Sequence, residues 1–335
     1  MATLTYRNAA AAGLRQEMLR DESVILLGED VAKAGGVFKT SRGLYDEFGA
    51  QRVFDTPIAE QAILGAALGA AMTGMRPVAE IMFADFLAVC WDYVVNEIPK
   101  ARYMTAGQFG APLVIRAANG AGIGFGPQHS QAVETWAMTV PGLKIVSPST
   151  PADMKGLMAA AIRDDDPVLV LESKALLATK GEVPDGELVI PLGQAAVRRT
   201  GQDLTIAALG STVPTAQAAA AELAAQDIDA TVIDLRSVVP LDAGTVLASV
   251  AETGRLVVVE EAPAQLGWGA SVASLVGEEA FGSLRAPVRR VCTANVPVPG
   301  SRRLEERYLP EVHHVVDAAV ATVSYVHRSF VDSKG

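Results

Sequence analysis

The sequence predicts an α/β fold of two doubly wound domains, each with a mainly parallel sheet covered by helices. Short runs rich in Val, Ile and Leu alternate with longer Ala-rich stretches, as expected for parallel α/β architecture. The strand runs are apolar at nearly every position, which is expected when helices cover both faces of a sheet. The length of 335 residues fits two domains of roughly 100–200 residues each.

The first domain is expected over residues 1–182. Its predicted strands are Ser23–Leu27, Val78–Ile81, Leu113–Arg116, Leu143–Val146 and Val168–Glu172. Its predicted helices are Tyr6–Arg20, Glu60–Thr73, Phe86–Met104 and Pro151–Arg163. Glycine and proline then interrupt the alternation, so we expect a linker over residues 183–200.

The second domain is expected over residues 201–335. Its predicted strands are Leu204–Ala208, Ala230–Leu235, Arg255–Glu260 and Val288–Val291. Its predicted helices are Val213–Gln226, Ala243–Glu252, Ala270–Glu279 and a long last helix from about Glu311 to Phe330.

Composition and charge argue against several classes of partner. The net charge is −10 and no basic run occurs, which disfavours nucleic acid and anionic membranes. The longest apolar stretch falls short of the ~20 residues that span a bilayer, and the first residues lack an apolar signal core. Cys90 and Cys292 lie far apart in the sequence, as expected for reduced thiols. We therefore expect a cytoplasmic protein.

Glycine-rich sequence does not predict a nucleotide site here. The run from Gly120 to Gly126 leads into Pro127 instead of opening a helix, and no Gly-Lys-Ser/Thr phosphate loop occurs. A nicotinamide or ATP enzyme is therefore disfavoured.

Three polar segments could carry chemistry, although each also has an ordinary structural interpretation. Glu60 opens a predicted helix, where a carboxylate is favoured by the helix dipole and could act as a capping acid. His129 follows the glycine-rich run, and a loop histidine is often structural. Residues 164–166 are three aspartates before a proline and could form a charged turn. From the residues alone these alternatives stay open.

Several motifs occur together in one order along the chain: Asp55-Thr-Pro-Ile-x-Glu60, Glu80-Ile-Met-Phe-x-Asp-Phe86, Gln128-His-Ser-Gln131 and Pro141-Gly-Leu-Lys-Ile-Val-x-Pro148. In this order and spacing they resemble the beta chain of the thiamin-diphosphate-dependent 2-oxo acid dehydrogenase family, which acts on pyruvate, branched-chain 2-oxo acids or acetoin. The resemblance extends from about Leu4 to Ala319. It implies a transketolase-like pyrimidine-binding domain followed by a transketolase C-terminal-like domain.

The resemblance also implies roles for individual residues. The glutamate matching Glu60 hydrogen-bonds the aminopyrimidine ring of thiamin diphosphate, and the histidine matching His129 faces the reaction centre. Both are therefore predicted to be catalytic. Positions matching Ile58, Met82 and Phe86 line the aminopyrimidine pocket. The acid matching Glu29 lies near the cofactor.

Further implications concern ions and partners. The family's structural potassium site matches Leu113, Ala161, Ile162, Asp164 and Asp166, although the family often carries Asn where Asp166 stands. Because Gly-Asp-Gly is absent, the cofactor diphosphate and its magnesium are expected mainly on an alpha subunit, in an α2β2 heterotetramer. The family also works with a lipoyl acyltransferase core. Two alternatives remain: a split transketolase-like ketol transferase, or a non-catalytic assembly subunit.

Overall fold

A computed structural model of the chain describes residues 1–326. Two compact units are present. The first comprises Met1–Gln194, Arg236–Leu241 and Val296–Tyr308, and the second comprises Ala195–Leu235, Asp242–Asn295 and the chain from Leu309. The end of the predicted last helix, from residue 327 to Phe330, lies outside the described residues.

Strands are numbered in chain order. They are β1 Ala2–Thr5, β2 Val24–Gly28, β3 Val53–Asp55, β4 Arg76–Phe83, β5 Val114–Asn119, β6 Lys144–Val146, β7 Val168–Ser173, β8 Lys180–Val183, β9 Ala196–Arg199, β10 Leu204–Ala208, β11 Ala230–Asp234, β12 Ser237–Val239, β13 Leu256–Pro263 and β14 Arg289–Thr293.

The α-helices follow the same rule. They are α1 Tyr6–Arg20, α2 Leu44–Phe48, α3 Glu60–Met72, α4 Ala101–Met104, α5 Glu134–Met138, α6 Pro151–Arg163, α7 Thr212–Ala224, α8 Ala243–Thr253, α9 Trp268–Glu279, α10 Arg302–Tyr308 and α11 Val312–Val323. Short 3₁₀ turns lie at Ala84–Ala88, Lys174–Leu176 and Phe281–Ser283, and a π-helical turn lies at Tyr93–Glu97.

The first unit is built on a seven-stranded sheet in the order β12-β6-β7-β5-β4-β2-β3. Its strands are parallel except β12, which pairs antiparallel with β6. Strands β2, β5 and β7 are buried along their whole length, which explains why their sequences are mostly apolar. Helices α1 and α6 pack together on this sheet around a core that includes Leu14, Met18 and Met158. A small antiparallel pair, β1 with β8, completes the unit.

The second unit has a five-stranded sheet in the order β14-β13-β10-β11-β9. The strands are parallel except β9, which pairs antiparallel with β11. Small and branched side chains of α7 and α11, among them Ala216, Ala220 and Val315, bury the apolar face of the sheet. The predicted α/β class with mainly parallel sheets is therefore confirmed in both units.

The predicted helix Phe86–Met104 is wrong as a continuous element. The chain there forms a 3₁₀ turn, a π-helical turn and the four-residue helix α4. Pro99 explains part of the interruption, because a proline inside a helix removes a donor and clashes with the preceding turn. The π turn, in which Ile98 N donates to Tyr93 O at 3.0 Å, lies where the Tyr93 hydroxyl packs against Gly65 of α3.

Within residues 1–326, none of the helices combines the length and the apolar character needed to cross a membrane.

Candidate active site

The predicted cofactor residues lie at the carboxyl edge of the seven-stranded sheet. Gly28, at the end of β2, is level with Asp55 on β3 and with Glu80 on β4. The chain leaves β2 directly into Glu29 and leaves β3 into Thr56, whose N–H donates to the Gly28 carbonyl at 2.9 Å. In open α/β sheets, ligands bind at this edge.

Glu60 is a buried carboxylate at the start of α3. Its side chain is 8% exposed, and no hydrogen bond or ion pair to it is formed within residues 1–326. The helix is capped by the backbone of Ala59 without a side-chain hydrogen bond, so the capping-acid interpretation does not account for Glu60. Buried polar groups normally have partners. A buried carboxylate without one is available to a donor from a bound group.

Glu29 lies close enough to Glu60 for their charges to interact. Burial raises the pKa of the Glu29 carboxyl, and the negative charges of Glu60 and Asp30 raise it further. The structure therefore brings these two predicted residues together, and the charge of Glu60 is one cause of the raised pKa of Glu29.

An aromatic cluster forms at the same edge of the sheet, with Phe83, the last residue of β4, at its centre. The ring centroids of Phe38, Phe86 and Phe125 lie 5.5, 5.5 and 5.8 Å from that of Phe83. The imidazole of His129 meets Phe83 edge-on at 4.7 Å and Phe86 at 5.2 Å. The structure thus places the predicted Phe86 and His129 against each other.

Cys90 connects the cluster to Glu60. Its thiol donates weakly to the Phe86 carbonyl at 3.6 Å. Burial raises the pKa of the Cys90 thiol to about 12, and the nearby charge of Glu60 contributes to that rise. Cys90 is therefore bonded to the backbone of Phe86 and is also near enough to Glu60 for their charges to interact.

The segment that follows His129 is fixed at two points. Asp85 Oδ1 accepts from the Gln131 backbone N–H at 3.1 Å and from its side-chain amide at 2.8 Å. Two residues farther on, Val133 N donates to Asn119 Oδ1 at 3.0 Å. These bonds hold the chain that presents His129.

A buried cluster of charged residues lies close enough to Glu29 for their charges to interact. Arg116 is 1% exposed and binds Glu172 in a bidentate manner, at 2.7 Å through Nε and 2.9 Å through Nη2. Its Nη1 lies 2.9 Å from Glu80 Oε2, a close charge contact without hydrogen-bond alignment. Burial raises the pKa of the Glu80 carboxyl to about 7; Arg116 opposes that rise, while Glu172 and Glu29 add to it.

The remaining predicted pocket residues differ from one another in exposure. Met82 is half-buried near the end of β4. Ile58 is 81% exposed and lies in the loop before α3. Its predicted place in the pocket is therefore not visible in this chain by itself.

The residues predicted to bind potassium lie at the opposite, amino edge of the sheet, around the turn after α6. Two of their carbonyl oxygens converge, because those of Ile162 and Asp164 both accept from Arg76 Nη1 at 3.0 Å. The Leu113 carbonyl accepts from Val168 N at 3.1 Å. The carbonyl of Ala161 accepts from the backbone N–H of Asp164 at 3.3 Å. The Ile162 and Asp164 oxygens thus face a cation of the chain, the Arg76 guanidinium, whereas those of Leu113 and Ala161 accept backbone N–H groups.

Cationic side chains also neutralise the aspartates of this turn. Lys144 Nζ lies 2.7 and 2.6 Å from the two carboxylate oxygens of Asp164. Arg102 Nε donates to Asp166 Oδ1 at 2.6 Å, and Arg76 pairs with Asp165. Three basic groups therefore balance the charges of three aspartates in this turn.

Sequence reasoning missed several residues of the site. Phe38, Phe83 and Phe125 converge only through the fold, from three separate segments. Arg116 and Glu172 could have been identified from the sequence, because each is a charged residue within a mostly apolar predicted strand.

Comparisons with known proteins show the family of the chain. Residues 2–180 match the family described as "Transketolase, pyrimidine binding domain", and residues 193–315 match "Transketolase, C-terminal domain". The chain is 45% identical to the "Acetoin:2,6-dichlorophenolindophenol oxidoreductase subunit beta" of Cupriavidus necator, over 96% of this chain and 97% of that protein. It is 45% identical to the "Pyruvate dehydrogenase E1 component subunit beta" of Rhizobium meliloti, over 96% of this chain and 70% of that protein.

Two further similarities span nearly the whole chain. The "2-oxoisovalerate dehydrogenase subunit beta" of Bacillus subtilis is 42% identical, over 96% of this chain and 98% of that protein. A solved structure titled "Split gene transketolase, inactive beta4 tetramer" superposes with a TM-score of 0.81 at 25% identity, covering 96% of this chain and 99% of that one. The chain belongs to the beta-subunit family of the thiamin-diphosphate-dependent 2-oxo acid and acetoin dehydrogenases.

Proposed function

We propose that this chain is the catalytic beta subunit of a dehydrogenase component that cleaves a 2-oxo acid or acetoin and passes the acyl group to a lipoyl domain. The observation that carries the proposal is Glu60, a buried carboxylate without a partner in the described chain, next to the Phe83–His129 cluster. The 2-oxo acid and acetoin relatives support the reaction class.

The residues present fit thiamin diphosphate. Besides Glu60, three buried polar atoms near the site have no hydrogen-bond partner within residues 1–326: Thr56 Oγ1, Asp85 Oδ2 and Ser130 Oγ. The polar edge of the aminopyrimidine ring would form hydrogen bonds with such groups. The faces of the ring would pack against the side chains of Phe83 and Phe86. When bound, this cofactor supplies a nucleophilic carbon and an electron sink for cleavage next to a carbonyl.

The chain's own groups would supply the remaining functions. Glu60 would accept a hydrogen bond from the aminopyrimidine ring and hold or release a proton at its carboxylate, with Glu29 as its neighbour. Phe83 and Phe86 would orient the ring, and together with Phe38 they would exclude water. Met82 would add apolar contact beside Phe86.

His129 would act at the reacting centre. Histidine is a residue type suited to acid–base work, and hydrogen bonds of Gln131 and Val133 fix the segment that follows His129. We assign it the stabilisation of charge at the reacting centre and assistance in transferring the acyl group to lipoamide.

We further propose that an alpha subunit completes the site. The acetoin and pyruvate relatives are named beta subunits, and this chain lacks Gly-Asp-Gly. The diphosphate and magnesium would be held mainly by the alpha chain, in a heterotetramer of two alpha and two beta chains. Ile58, exposed here, would be covered when the cofactor and the alpha chain are in place.

Other features of the proposal follow from the family and the composition. A lipoyl acyltransferase core would be the second partner, and the small-molecule substrate would be pyruvate, a branched-chain 2-oxo acid or acetoin. The charge of −10 argues against nucleic acid and anionic membranes as partners, and we place the protein in the cytoplasm. For the predicted potassium site, we propose that Arg76, Arg102 and Lys144 supply the positive charge.

A split transketolase-like transferase is the second candidate, because a solved split transketolase has the same fold over 96% of this chain. Lipoyl chemistry separates the two. The assay uses the chain co-purified with the proposed alpha subunit and supplied with thiamin diphosphate, magnesium and each substrate. Acylation of a lipoyl domain supports the dehydrogenase, whereas ketol transfer between sugar phosphates without lipoyl acylation supports the transketolase.

The matched variant Glu60→Gln tests catalysis against a mere assembly role. It keeps the size and the oxygen of the side chain but cannot take up a proton. Loss of turnover with the complex intact supports the proposal. Full activity in this variant would contradict it.

A further inference from the structure

The segment Val296–Tyr308 follows the last strand of the second unit in the sequence, yet it belongs to the first unit. Its helix α10 carries Glu305, whose side chain is 2% exposed. Glu305 Oε2 accepts a hydrogen bond from the Gly124 backbone N–H at 2.8 Å. Glu305 thus forms a hydrogen bond with the glycine-rich loop, although it lies 181 positions farther along the chain than Gly124.

The glycine-rich loop needs such an external contact. Gly120, Gly122, Gly124 and Gly126 all have positive φ, between 75° and 104°, a region that residues with a side chain rarely adopt. Glycine has the greatest conformational freedom of any residue, so a run of this kind is poorly fixed by its own sequence. The bond to Glu305 is charge-assisted and is therefore stronger than a neutral one.

The loop leads directly into the proposed site. Phe125 follows Gly124, and its ring lies 5.8 Å from that of Phe83. His129 N donates to the Gly126 carbonyl at 3.4 Å, and its imidazole lies 4.7 Å from Phe83. The Gln131–Asp85 bonds fix the chain after His129, and Glu305 fixes it before.

We propose that Glu305 is a positioning residue for the reaction: its carboxylate holds the glycine-rich loop so that Phe125 and His129 keep their places against Phe83. This inference rests on the proposed function for its catalytic consequence. Its structural part concerns the place of the His129 imidazole alone and can be measured without substrate.

The test compares Glu305→Ala, Glu305→Asp and Glu305→Gln with Glu306→Ala, a change at the exposed neighbouring residue. The Asp variant keeps the charge but is one methylene too short, and the Gln variant keeps an oxygen that can accept from Gly124. The protein has four histidines, so the His129 imidazole resonances can be assigned by loss in His129→Gln. The readouts are those resonances in the chain and kcat and KM in the complex with the alpha subunit.

We expect the Ala and Asp variants to shift the His129 resonances and to lower kcat by roughly 10- to 100-fold, the effect of about 1 Å of misplacement, with KM little changed. The Gln variant should recover most of both, and Glu306→Ala should match the wild type. If Glu305→Ala does not fold, Glu305→Asp provides the test.

Unchanged His129 resonances and kcat in Glu305→Asp would overturn the inference. So would an equal loss in Glu305→Gln and Glu305→Ala, because retention of the acceptor oxygen would then not matter. If the wild-type complex shows no thiamin-dependent turnover, the proposed function fails, and the histidine resonances still decide the positioning of the loop.

Discussion

Replacing Glu80 by Gln should remove a pH dependence from the stability of the first unit. Glu80 shares one guanidinium, that of Arg116, with Glu172, so the buried cluster carries one negative charge in excess when both acids are ionised. Glu172 holds the guanidinium through two aligned bonds, which leaves Glu80 with the poorer contact. Burial raises the pKa of Glu80 from 4.5 to about 7, and Arg116 only partly offsets it.

The direction of the pH effect follows from linkage. The pKa of Glu80 is higher in the folded state than in the unfolded state. At a pH between these two pKa values, the folded state therefore keeps a proton that the unfolded state has lost. The contribution of Glu80 to the free energy of unfolding is therefore fully present below its unfolded pKa and is lost as the pH rises through the folded pKa of about 7. At 1.36 kcal/mol per pKa unit, the loss between about pH 5 and about pH 8 is roughly 2–3 kcal/mol.

The assay is urea unfolding at these two pH values, followed by tryptophan fluorescence. Trp91 and Trp136 belong to the first unit and Trp268 to the second, so Trp268→Phe provides a background in which fluorescence reports the first unit. A loss of roughly 2–3 kcal/mol corresponds to a fall of about 1 M in the urea midpoint. Glu80→Gln should show a much smaller fall. A change at the exposed Glu22, Glu22→Gln, should retain the wild-type pH dependence.

If the midpoint of Glu80→Gln falls with pH as much as that of the wild type, the buried excess charge is not at Glu80 and the reasoning is refuted.

Three further outcomes are expected. Glu60→Gln should lower turnover in the complex by roughly 10²- to 10⁴-fold, as loss of an acid–base group does, while size-exclusion chromatography shows the same assembly; wild-type turnover would contradict its role. Phe83→Ala should lower the free energy of unfolding by roughly 3–5 kcal/mol in urea titrations, because the ring is 7% exposed at the centre of the cluster; a cost below about 1 kcal/mol would show that the cluster is loosely packed. Replacing potassium by sodium at constant ionic strength should leave the thermal midpoint unchanged, because Arg76 and Lys144 neutralise the turn after α6; a clear fall in the midpoint would instead support the predicted potassium site.

Local sequence signals predicted many elements of the fold well. Helices α1 and α6 were predicted with the bounds that the structure shows, because Thr5 and Thr150 cap them and Pro151 opens the second. Strand β10 was also predicted at Leu204–Ala208, since an apolar run between polar turns is a sufficient signal.

Elements made by distant pairing were not predicted. Strand β1 exists because it pairs with β8, with Ala2 opposite Val183, and β12 exists because Ser237 pairs with Val146. Short strands of this kind carry little intrinsic preference, and their partners cannot be inferred from nearby residues. The sequence likewise did not predict that Val296–Tyr308, which follows the last strand of the second unit, belongs to the first unit.

The site was partly predictable for a related reason. Glu60 and His129 were identified through the order of family motifs, whereas their own neighbourhoods allowed structural roles. The burial of Glu60 without a capping bond removes one of those roles. Phe38 and Glu305 left no local signal, because their importance comes from contacts with segments far away in the sequence.

We propose that this chain holds half of a thiamin diphosphate site, and calorimetric titration with the cofactor and magnesium measures whether it binds the cofactor by itself. The titration is made on this chain alone and on its complex with the alpha subunit. The complex that carries Glu60→Gln is the control. We predict tight binding by the complex, weaker binding by the Glu60→Gln complex, and no measurable binding by the chain alone. Tight binding by the chain alone would contradict the claim, because a complete diphosphate site would then lie within it.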